Sequence, residues 1–216
     1  MVIAESPSQQ RRLLEREQRR EQIVDAACAL ALSQGWDQVT VDGVAKRARL
    51  SRALVYLYFR DKRELHAALW ERAAQQLQQR FEEAASRHQR GYDQLEAVGR
   101  AYVAFAHEFP HFFEAISRFE ASEPALLSSD SAEARAMACN FDKHGLMVAV
   151  IERGLSDGSI RADVGDPALL AISLWGFTHG ILQIAATKGK QLAHIGVAET
   201  ALIEQAFSLM RQAVAR

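Results

Sequence analysis

The chain has 216 residues, of which 49% are hydrophobic and 25% charged, the composition of an ordinary globular protein with room for one or two domains. Its net charge of −1 excludes a bulk attraction to nucleic acid, and two cysteines without a Cys-x-x-Cys motif exclude a disulfide framework. No segment reads as a signal peptide or as a membrane span of about 18 apolar residues, so we expect a cytoplasmic protein with no membrane partner.

The charges are unevenly distributed along the chain. Residues 1–70 carry 12 basic and 9 acidic side chains, whereas the remainder carries 14 and 18. The sign of this asymmetry favours an N-terminal part that contacts DNA and a C-terminal part that does not.

Helical periodicity and capping residues predict nine helices and no strand. Residues 1–10 are polar and predict disorder; a charged run of helix formers then leads into the first helix, which Gly35 closes. The N-caps of the next three helices are predicted from their residue types and positions: Thr40 before Val41–Arg47, Ser51 before Arg52, and Asp61, with Glu64 as its capping-box partner, before a helix that reaches about His88.

The second half of the chain continues the helical pattern. Apolar residues recur at three- and four-residue spacing from Gly91 to Phe109, and Pro110 forces a break before a short aromatic helix. Residues 120–130 predict a loop. Three further helices are expected: Ala134–Ile151, which Gly154 ends, then one from Asp166-Pro167 to about Lys188, and Glu199–Val214.

The stretch Thr40–Leu65 predicts two short helices joined by a tight turn and packed on the long preceding helix. A helix-turn-helix places its second helix in the major groove. Short helix pairs with scattered basic residues are common, so this spacing by itself leaves DNA binding and a solvated helical surface equally open.

A resemblance decides between them. The segment GWDQVTVDGVAKRARLSRALVYLYFRDKREL resembles the N-terminal signature of TetR/AcrR transcriptional regulators, and the match spans roughly Ile23–Leu69. Three residues depart from that signature. Arg49 stands where the family usually has glycine in the turn, Leu54 replaces a common serine or threonine, and Asp42 stands where a base-contacting arginine is often found.

The resemblance implies a DNA-binding role for each matching residue. Thr40 would bind phosphate at a helix N-terminus, and Arg52 would read a base. Leu54 would meet a thymine methyl group. The full predicted DNA-binding set is Thr40, Ser51, Arg52, Leu54, Tyr56, Tyr58 and Lys62, with the two tyrosines and the lysine on the DNA backbone.

The arginine-rich start of the chain has two interpretations. Arg11, Arg12, Arg16, Arg19 and Arg20 would form an arm that reaches DNA. Alternatively, these residues belong to a solvated helix extension in which Glu15, Glu17 and Glu21 are interleaved.

The family resemblance also implies the organisation of the chain. We expect an all-α protein with a disordered segment or basic arm at 1–15, a three-helix helix-turn-helix DNA-binding domain at 16–65, and a C-terminal helical bundle at 66–216 that binds ligand and dimerises. The helix at about 61–88 would connect the domains. The last two helices would pack against their mates as a four-helix bundle in a homodimer on a palindromic operator.

A weaker resemblance concerns the motif Trp175-Gly-Phe-Thr-His179-Gly180, which is similar to a TetR C-terminal class marked by Trp-x-x-x-His-Gly. The aromatic residues of this half predict a pocket for an apolar or aromatic small molecule of unknown identity, which would release a repressor from DNA. The candidate lining is Tyr102, Phe105, Phe109, Phe112, Phe113, Phe119, Met137, Phe141, Trp175 and His179. For each of them, filling the core is the competing interpretation.

Other functional classes of protein fit the sequence less well. His107 and His111 have metal-binding spacing, but Pro110 between them should break the helix. No phosphate loop, zinc-protease motif or nucleophile elbow is present, so we expect no enzyme activity, no catalytic residue, no resident metal and no cofactor. A metal- or haem-responsive regulator of the same fold remains an alternative, and a helical adaptor without DNA binding is a third.

Overall fold

The computed structural model describes the backbone of residues 7–120 and 132–216 and the side chains of 8–117 and 142–216. Nine α-helices and no strand are present in these ranges, in agreement with the predicted all-α class. They are α1 (Pro7–Gln34), α2 (Val41–Ala48), α3 (Arg52–Tyr58), α4 (Lys62–Ser86), α5 (Gly91–Glu108), α6 (Pro110–Glu120), α7 (Ala132–Ser156), α8 (Pro167–His194) and α9 (Glu199–Val214).

The helices form two compact units. The first contains the described residues up to Ala73 together with α6 from His111 onward, and the second contains Ala74–Pro110 and Met137–Arg216. The sequence analysis places a boundary at residues 65 and 66. In the structure α4 is one continuous helix whose first half belongs to the first unit and whose second half belongs to the other.

The first unit is built on the second half of α1. Ile23 and Ala27 lie on one face of that helix and are fully buried, as are Val44 of α2 and Val55 of α3. Residues 7–15, expected as a disordered segment or an arm, are helical, because α1 begins at Pro7. Their described side chains, from residue 8 onward, are exposed, so this part of α1 extends beyond the core.

The end of α1 explains how α6 comes to belong to this unit. Gly35 adopts a φ of 83°, as its predicted role in closing the helix requires, and a short 3-10 turn, Trp36–Gln38, follows. The indole of Trp36 donates to the backbone carbonyl of His111, and its ring lies 6.0 Å from that of Phe112. Phe112, which sequence analysis assigned to the C-terminal domain, therefore packs in the first unit.

The second unit contains a close backbone approach between α5 and α7. A Cβ atom on Gly91 would lie 2.1 Å from the backbone nitrogen of Gly154, so neither helix could come this near with a side chain at position 91. The prediction that Gly154 ends its helix is wrong. The helix continues to Ser156, and glycine is required at position 154 for packing, because a Cβ there would lie 2.5 Å from the side chain of Ile160.

The last two helices confirm their predicted starts. Asp166 accepts hydrogen bonds from the backbone of Ala168 at 2.9 Å and Leu169 at 3.0 Å, and Pro167 occupies the first position of α8. This helix runs six residues past its predicted end at Lys188. Of the predicted loop at 120–130, Glu120 is the last residue of α6, and the other residues lie outside the described part of the chain.

One described helix, α8, is long and apolar enough to cross a membrane by length and composition, with a mean hydropathy of 1.5 over its most apolar window. Only 22% of that window is buried in the structure. This helix therefore presents an apolar surface that the described residues do not cover.

Candidate nucleic-acid interface and ligand cavity

The two short helices of the first unit begin at side-chain caps. The hydroxyl of Thr40 accepts from the backbone nitrogen of Gly43 at 3.1 Å, and that of Ser51 accepts from Leu54 at 3.1 Å. Both caps are as predicted, and each satisfies one of the backbone donors that a helix start leaves unpaired. Helix starts of this kind favour an anion, and the prediction that Thr40 contacts a DNA phosphate depends on this property.

The turn between these helices depends on Arg49. This residue adopts φ 57° and ψ 42°, the left-handed conformation, and its backbone nitrogen bonds to the carbonyls of Ala45 and Lys46. It is the only non-glycine residue with positive φ in the described part of the chain. The turn thus keeps the geometry that glycine favours, with an exposed arginine in its place.

The side chains of α3 divide into a buried and an exposed face. Val55 is fully buried, whereas Arg52, Ala53, Tyr56 and Leu57 are exposed, Leu57 to 72%. Leu54, expected among the DNA contacts, is half-buried. Sequence reasoning missed Ala53 and Leu57, which lie four residues apart and form a second exposed face beside that of Arg52 and Tyr56.

Two other predicted contacts already have partners. Arg52 Nε lies 2.6 Å from a carboxylate oxygen of Asp42, and both side chains are exposed. Lys62 Nζ donates to the backbone carbonyl of Asp37 at 3.1 Å. The first pair joins the exposed face of α3 to α2, and the second joins the start of α4 to the turn after α1.

The middle of α4 is joined to α1 by ion pairs. Arg72 bonds to Asp25 at 2.9 Å and to Glu21, and Arg20 bonds to Glu71 at 3.3 Å. Because Glu71 is buried, the Arg20–Glu71 pair is better shielded from solvent than an ordinary surface pair, whereas the carboxylates that pair with Arg72 are more exposed. They couple the position of α4 to that of the helix supporting α2 and α3.

A histidine lies nearby in the same unit. The ring of His66 meets Trp36 edge-on at 6.0 Å, and its Nε2 is buried with no hydrogen-bond partner among the described residues. Burial, together with the positive charge of Lys62, lowers the pKa of His66 below its usual range. The ring is therefore held in its neutral form.

The second unit encloses a cavity of about 60 Å³. Its walls come from α4, α5, α7, α8 and α9 and are almost entirely apolar. The lining residues are Phe81, Tyr92, Leu95, Glu96, Val98, Gly99, Tyr102, Met147, Leu174, Trp175, Thr178, Phe207, Met210 and Val214. Pockets for drug-sized ligands measure about 300–1,000 Å³, so the cavity as described suits only a compact molecule unless its walls move.

The hydroxyl and carboxylate groups of this lining are already bonded within the protein. Tyr102 donates to His179 Nδ1 at 2.7 Å, and Thr178 donates to the backbone carbonyl of Leu174. Glu96 accepts from Arg100 at 3.0 Å and Arg211 at 2.7 Å. Burial would raise the pKa of Glu96, but the hydrogen bonds from these two arginines lower it below its usual range.

His179 links the Trp-x-x-x-His-Gly motif to the cavity wall. It accepts from Tyr102 at Nδ1, and its Nε2 lies 3.1 Å from the side-chain oxygen of Gln183, an arrangement that the neutral Nε2–H tautomer satisfies. Burial lowers the pKa of His179. Its ring also lies 5.7 Å from that of Trp175, one helical turn earlier, as the motif spacing predicts.

The structure disperses the ten predicted lining residues. Tyr102 and Trp175 lie in the cavity wall, and His179 supports Tyr102 from behind. Phe105 and Phe109 contact each other and the guanidinium of Arg80, and Phe112 and Phe113 belong to the first unit. Phe119, Met137 and Phe141 lie outside the described side chains. The missed wall residues include Phe81 of α4 and Phe207 of α9, which no local motif connects to the aromatic segment.

The two histidines with metal-binding spacing lie on different helices. The helix break between His107 and His111 is as predicted, and His107 instead contacts Glu199 at 2.8 Å. No group of three potential metal ligands comes together in the described ranges. Burial raises the pKa of Cys28 to about 12, so this thiol is unreactive at neutral pH.

These features define a helix-turn-helix transcription regulator with a separate helical unit around an apolar cavity. Residues 23–69 match the bacterial regulatory proteins of the tetR family, and residues 95–210 match the tetracyclin repressor-like C-terminal domain. The chain belongs to the TetR family of transcription regulators. Its DNA-binding helix-turn-helix and its all-α class are those of the family, as the resemblance implied.

Solved structures share this fold at low sequence identity. A protein of unknown function from Rhodococcus sp. RHA1 has a TM-score of 0.74 and 21% identity over 92% of this chain and 95% of its own. SmeT, the repressor of the Stenotrophomonas maltophilia multidrug efflux pump SmeDEF, has a TM-score of 0.65 and 21% identity over 91% of this chain and 90% of its own. FadR from Bacillus subtilis in complex with stearoyl-CoA has a TM-score of 0.66 and 18% identity over 89% of this chain and 96% of its own. A comparison with curated protein sequences found no significant match.

Proposed function

We propose that the protein is a homodimeric repressor in the cytoplasm that binds a palindromic operator and is released by an uncharged apolar or aromatic molecule. The observation that carries this proposal is that α4 takes part in both candidate sites. Its residue Arg72 is ion-paired to α1, and its later residue Phe81 lies in the cavity wall.

DNA recognition is proposed for the exposed face of α3. Arg52 offers a bidentate donor to guanine, and Tyr56 lies one turn further on the same face. Thr40, Ser51, Tyr58 and Lys62 surround this face and would contact phosphates, which fixes the register of the helix in the groove. The half-buried Leu54 would contribute by packing, and the exposed Leu57 is better placed for a thymine methyl group.

Dimerisation is proposed for the uncovered stripe of α8. Leu169, Ile172 and Ile184 are exposed to between 44% and 67%, although their side chains are large and apolar. Gly176 and Gly180 lie in the same stripe, with no atom within 4 Å of an added Cβ. A second copy of this helix would bury the stripe, and the glycines would allow the close approach.

The residues replaced in a test of the dimer must lie outside the cavity wall. Leu174 would be a natural choice for a charged replacement, but it lies in the cavity wall, so its replacement would disturb ligand binding as well. We expect Leu169→Glu with Ile172→Glu to give a folded monomer that no longer binds operator, measured by sedimentation and circular dichroism. Ser86→Glu with Gln89→Glu adds the same two charges at exposed positions outside α8 and α9, so this control should stay dimeric.

Ligand binding is proposed for the cavity of the second unit. An apolar guest that enlarges the cavity would displace Phe81 and hence α4. The ion pairs of Arg72, nine residues and about 13.5 Å earlier on the same helix, would transmit this to α1. A ligand shifts DNA binding only if it prefers one of the two arrangements.

The experiment combines operator selection from random DNA with a screen of uncharged aromatic and aliphatic compounds. We expect compounds that raise the melting temperature to weaken operator binding in wild type. Met210→Trp should fill the cavity and abolish both effects while operator affinity is kept, whereas Met210→Leu, of similar volume, should retain them. Thermal stabilisation without any change in operator affinity would contradict the release mechanism.

A further inference from the structure

The N-terminal half of α1 carries a basic stripe beside the recognition helix. Arg12, Arg16 and Arg19 lie four and three residues apart and therefore share one face of α1. In the structure these three residues, together with Glu15 of α1 and Leu57 and Tyr58 of α3, line one open groove. We propose that this stripe is a second DNA-contacting surface, which binds phosphates flanking the site read by α3.

The direction of the stripe follows from the core of the first unit. The helical positions of Arg12, Arg16 and Arg19 fall on the same side of α1 as the buried Ile23 and Ala27. The face that packs against the unit over its second half thus continues as a basic face over its first half. This continuation places the arginines alongside the end of α3.

The charges on this face are available. Among the described side chains, Arg12 and Arg16 form no ion pair, whereas Arg11, on a different face, pairs with Glu15 at 3.0 Å. Arg19 bonds only to the neutral amide of Gln22. Glu15 also lines the groove but is ion-paired to Arg11, and Glu17 and Glu21 lie on the far side of the helix, so three arginines face one acidic residue there.

The chemistry of the groove favours DNA over an apolar partner. Three guanidinium groups surround it, and its other members include the phenol of Tyr58, which already stands among the proposed phosphate contacts. Arginine binds phosphate bidentately, and contacts to the DNA backbone are independent of sequence. The stripe would therefore increase affinity for all DNA without adding base discrimination.

This inference rests on the proposed DNA binding by α3, and the test separates the two. The full-length triple variant Arg12→Ala, Arg16→Ala, Arg19→Ala is compared with wild type on a selected operator and on scrambled DNA between 50 and 200 mM salt. We expect at least tenfold weaker binding of both DNAs, with an unchanged ratio between them. The plot of log affinity against log salt should become shallower by about 0.9 for each phosphate that the variant no longer neutralises.

The control keeps the same net charge change but places it on the opposite face of the same helix. Gln10→Glu, Leu14→Glu, Gln18→Glu also adds three units of negative charge, and we expect its salt slope to stay close to that of wild type. Alanine favours helix, so circular dichroism should show α1 intact in the triple arginine variant.

Each outcome decides one of the two claims. If wild type binds no operator, DNA recognition by α3 fails. If wild type binds and the triple variant keeps both affinity and salt slope, the stripe is a solvated helix face. If the charge-matched control loses as much as the arginine variant, the effect is one of net charge and the proposed surface is wrong.

Discussion

Arg52, the candidate base-reading residue of α3, is held at 2.6 Å by Asp42 of α2. Asp42 stands where related proteins often have a base-contacting arginine, so the same position here restrains a contact instead of supplying one. An exposed pair of this kind contributes little to folding stability, and its importance would lie in the direction in which the guanidinium points.

We expect Asp42→Ala to raise affinity for operator and non-operator DNA severalfold, because a carboxylate next to the phosphates is removed. The ratio of operator affinity to non-operator affinity should fall, since Arg52 loses the group that orients it. Arg52→Ala should weaken operator binding by about 1–3 kcal/mol and relax one base position in each half-site. If Asp42→Ala leaves the ratio unchanged in equilibrium titrations, the ion pair does not orient the reading residue.

The left-handed turn at Arg49 predicts opposite effects for two neighbouring arginines. Arg49→Gly should stabilise the protein by up to about 1 kcal/mol, because glycine adopts a positive φ without steric cost. Arg47→Gly, at an exposed position inside α2, should destabilise it by about 1 kcal/mol. Chemical denaturation measures both, and a loss of stability in Arg49→Gly would contradict the argument.

The neutral His66 predicts a pH dependence of folding. Its pKa is lowered in the folded state, so below about 6.5 the unfolded chain binds a proton that the folded chain does not. Stability should therefore fall as the pH drops from 7 toward 5. His66→Phe removes this titration and should flatten the slope of unfolding free energy against pH, although His179 will leave part of it. An equally steep slope in the variant would rule out His66 as a source.

The contact of Gly91 with Gly154 predicts a severe effect from a single methyl group. Gly91→Ala should cost about 3 kcal/mol, because the new Cβ would meet backbone atoms that cannot rotate away. Gly189→Ala in α8 is the control, since its added Cβ would meet no atom within 4 Å. This variant should have a slightly higher melting temperature than wild type, because alanine favours helix. Two variants of equal stability would show that α5 and α7 are able to separate at no cost.

Local signals in the sequence were sufficient for most helices. Thr40, Ser51 and Asp166 are caps whose chemistry acts within three residues, so their positions could be read directly. Gly154 does not end its helix; the glycine is needed to leave room for Ile160, and packing of this kind is not visible in a window of sequence.

The two candidate sites also differ in how much of each could be predicted from local sequence. The exposed face of α3 follows from helical periodicity once Val55 is known to be buried, whereas the cavity gathers Phe81, Tyr102 and Phe207 from helices far apart in the chain. Aromatic residues clustered in sequence, such as Phe105 and Phe112, are instead divided between the two units. Periodicity locates a face, but only the fold decides which faces meet.

The bonded hydroxyl and carboxylate groups of the cavity wall have a consequence for selectivity. A guest that finds few free hydrogen-bonding partners is distinguished from its homologues mainly by shape and size, at about 0.8 kcal/mol for each buried methylene. One methylene then changes affinity only about fourfold, and the flexible side chains of Met147 and Met210 would blunt even this difference. Such a sensor would respond in a graded manner to a series of chemically unrelated hydrophobic compounds, and its dose-response curves would follow their partition coefficients.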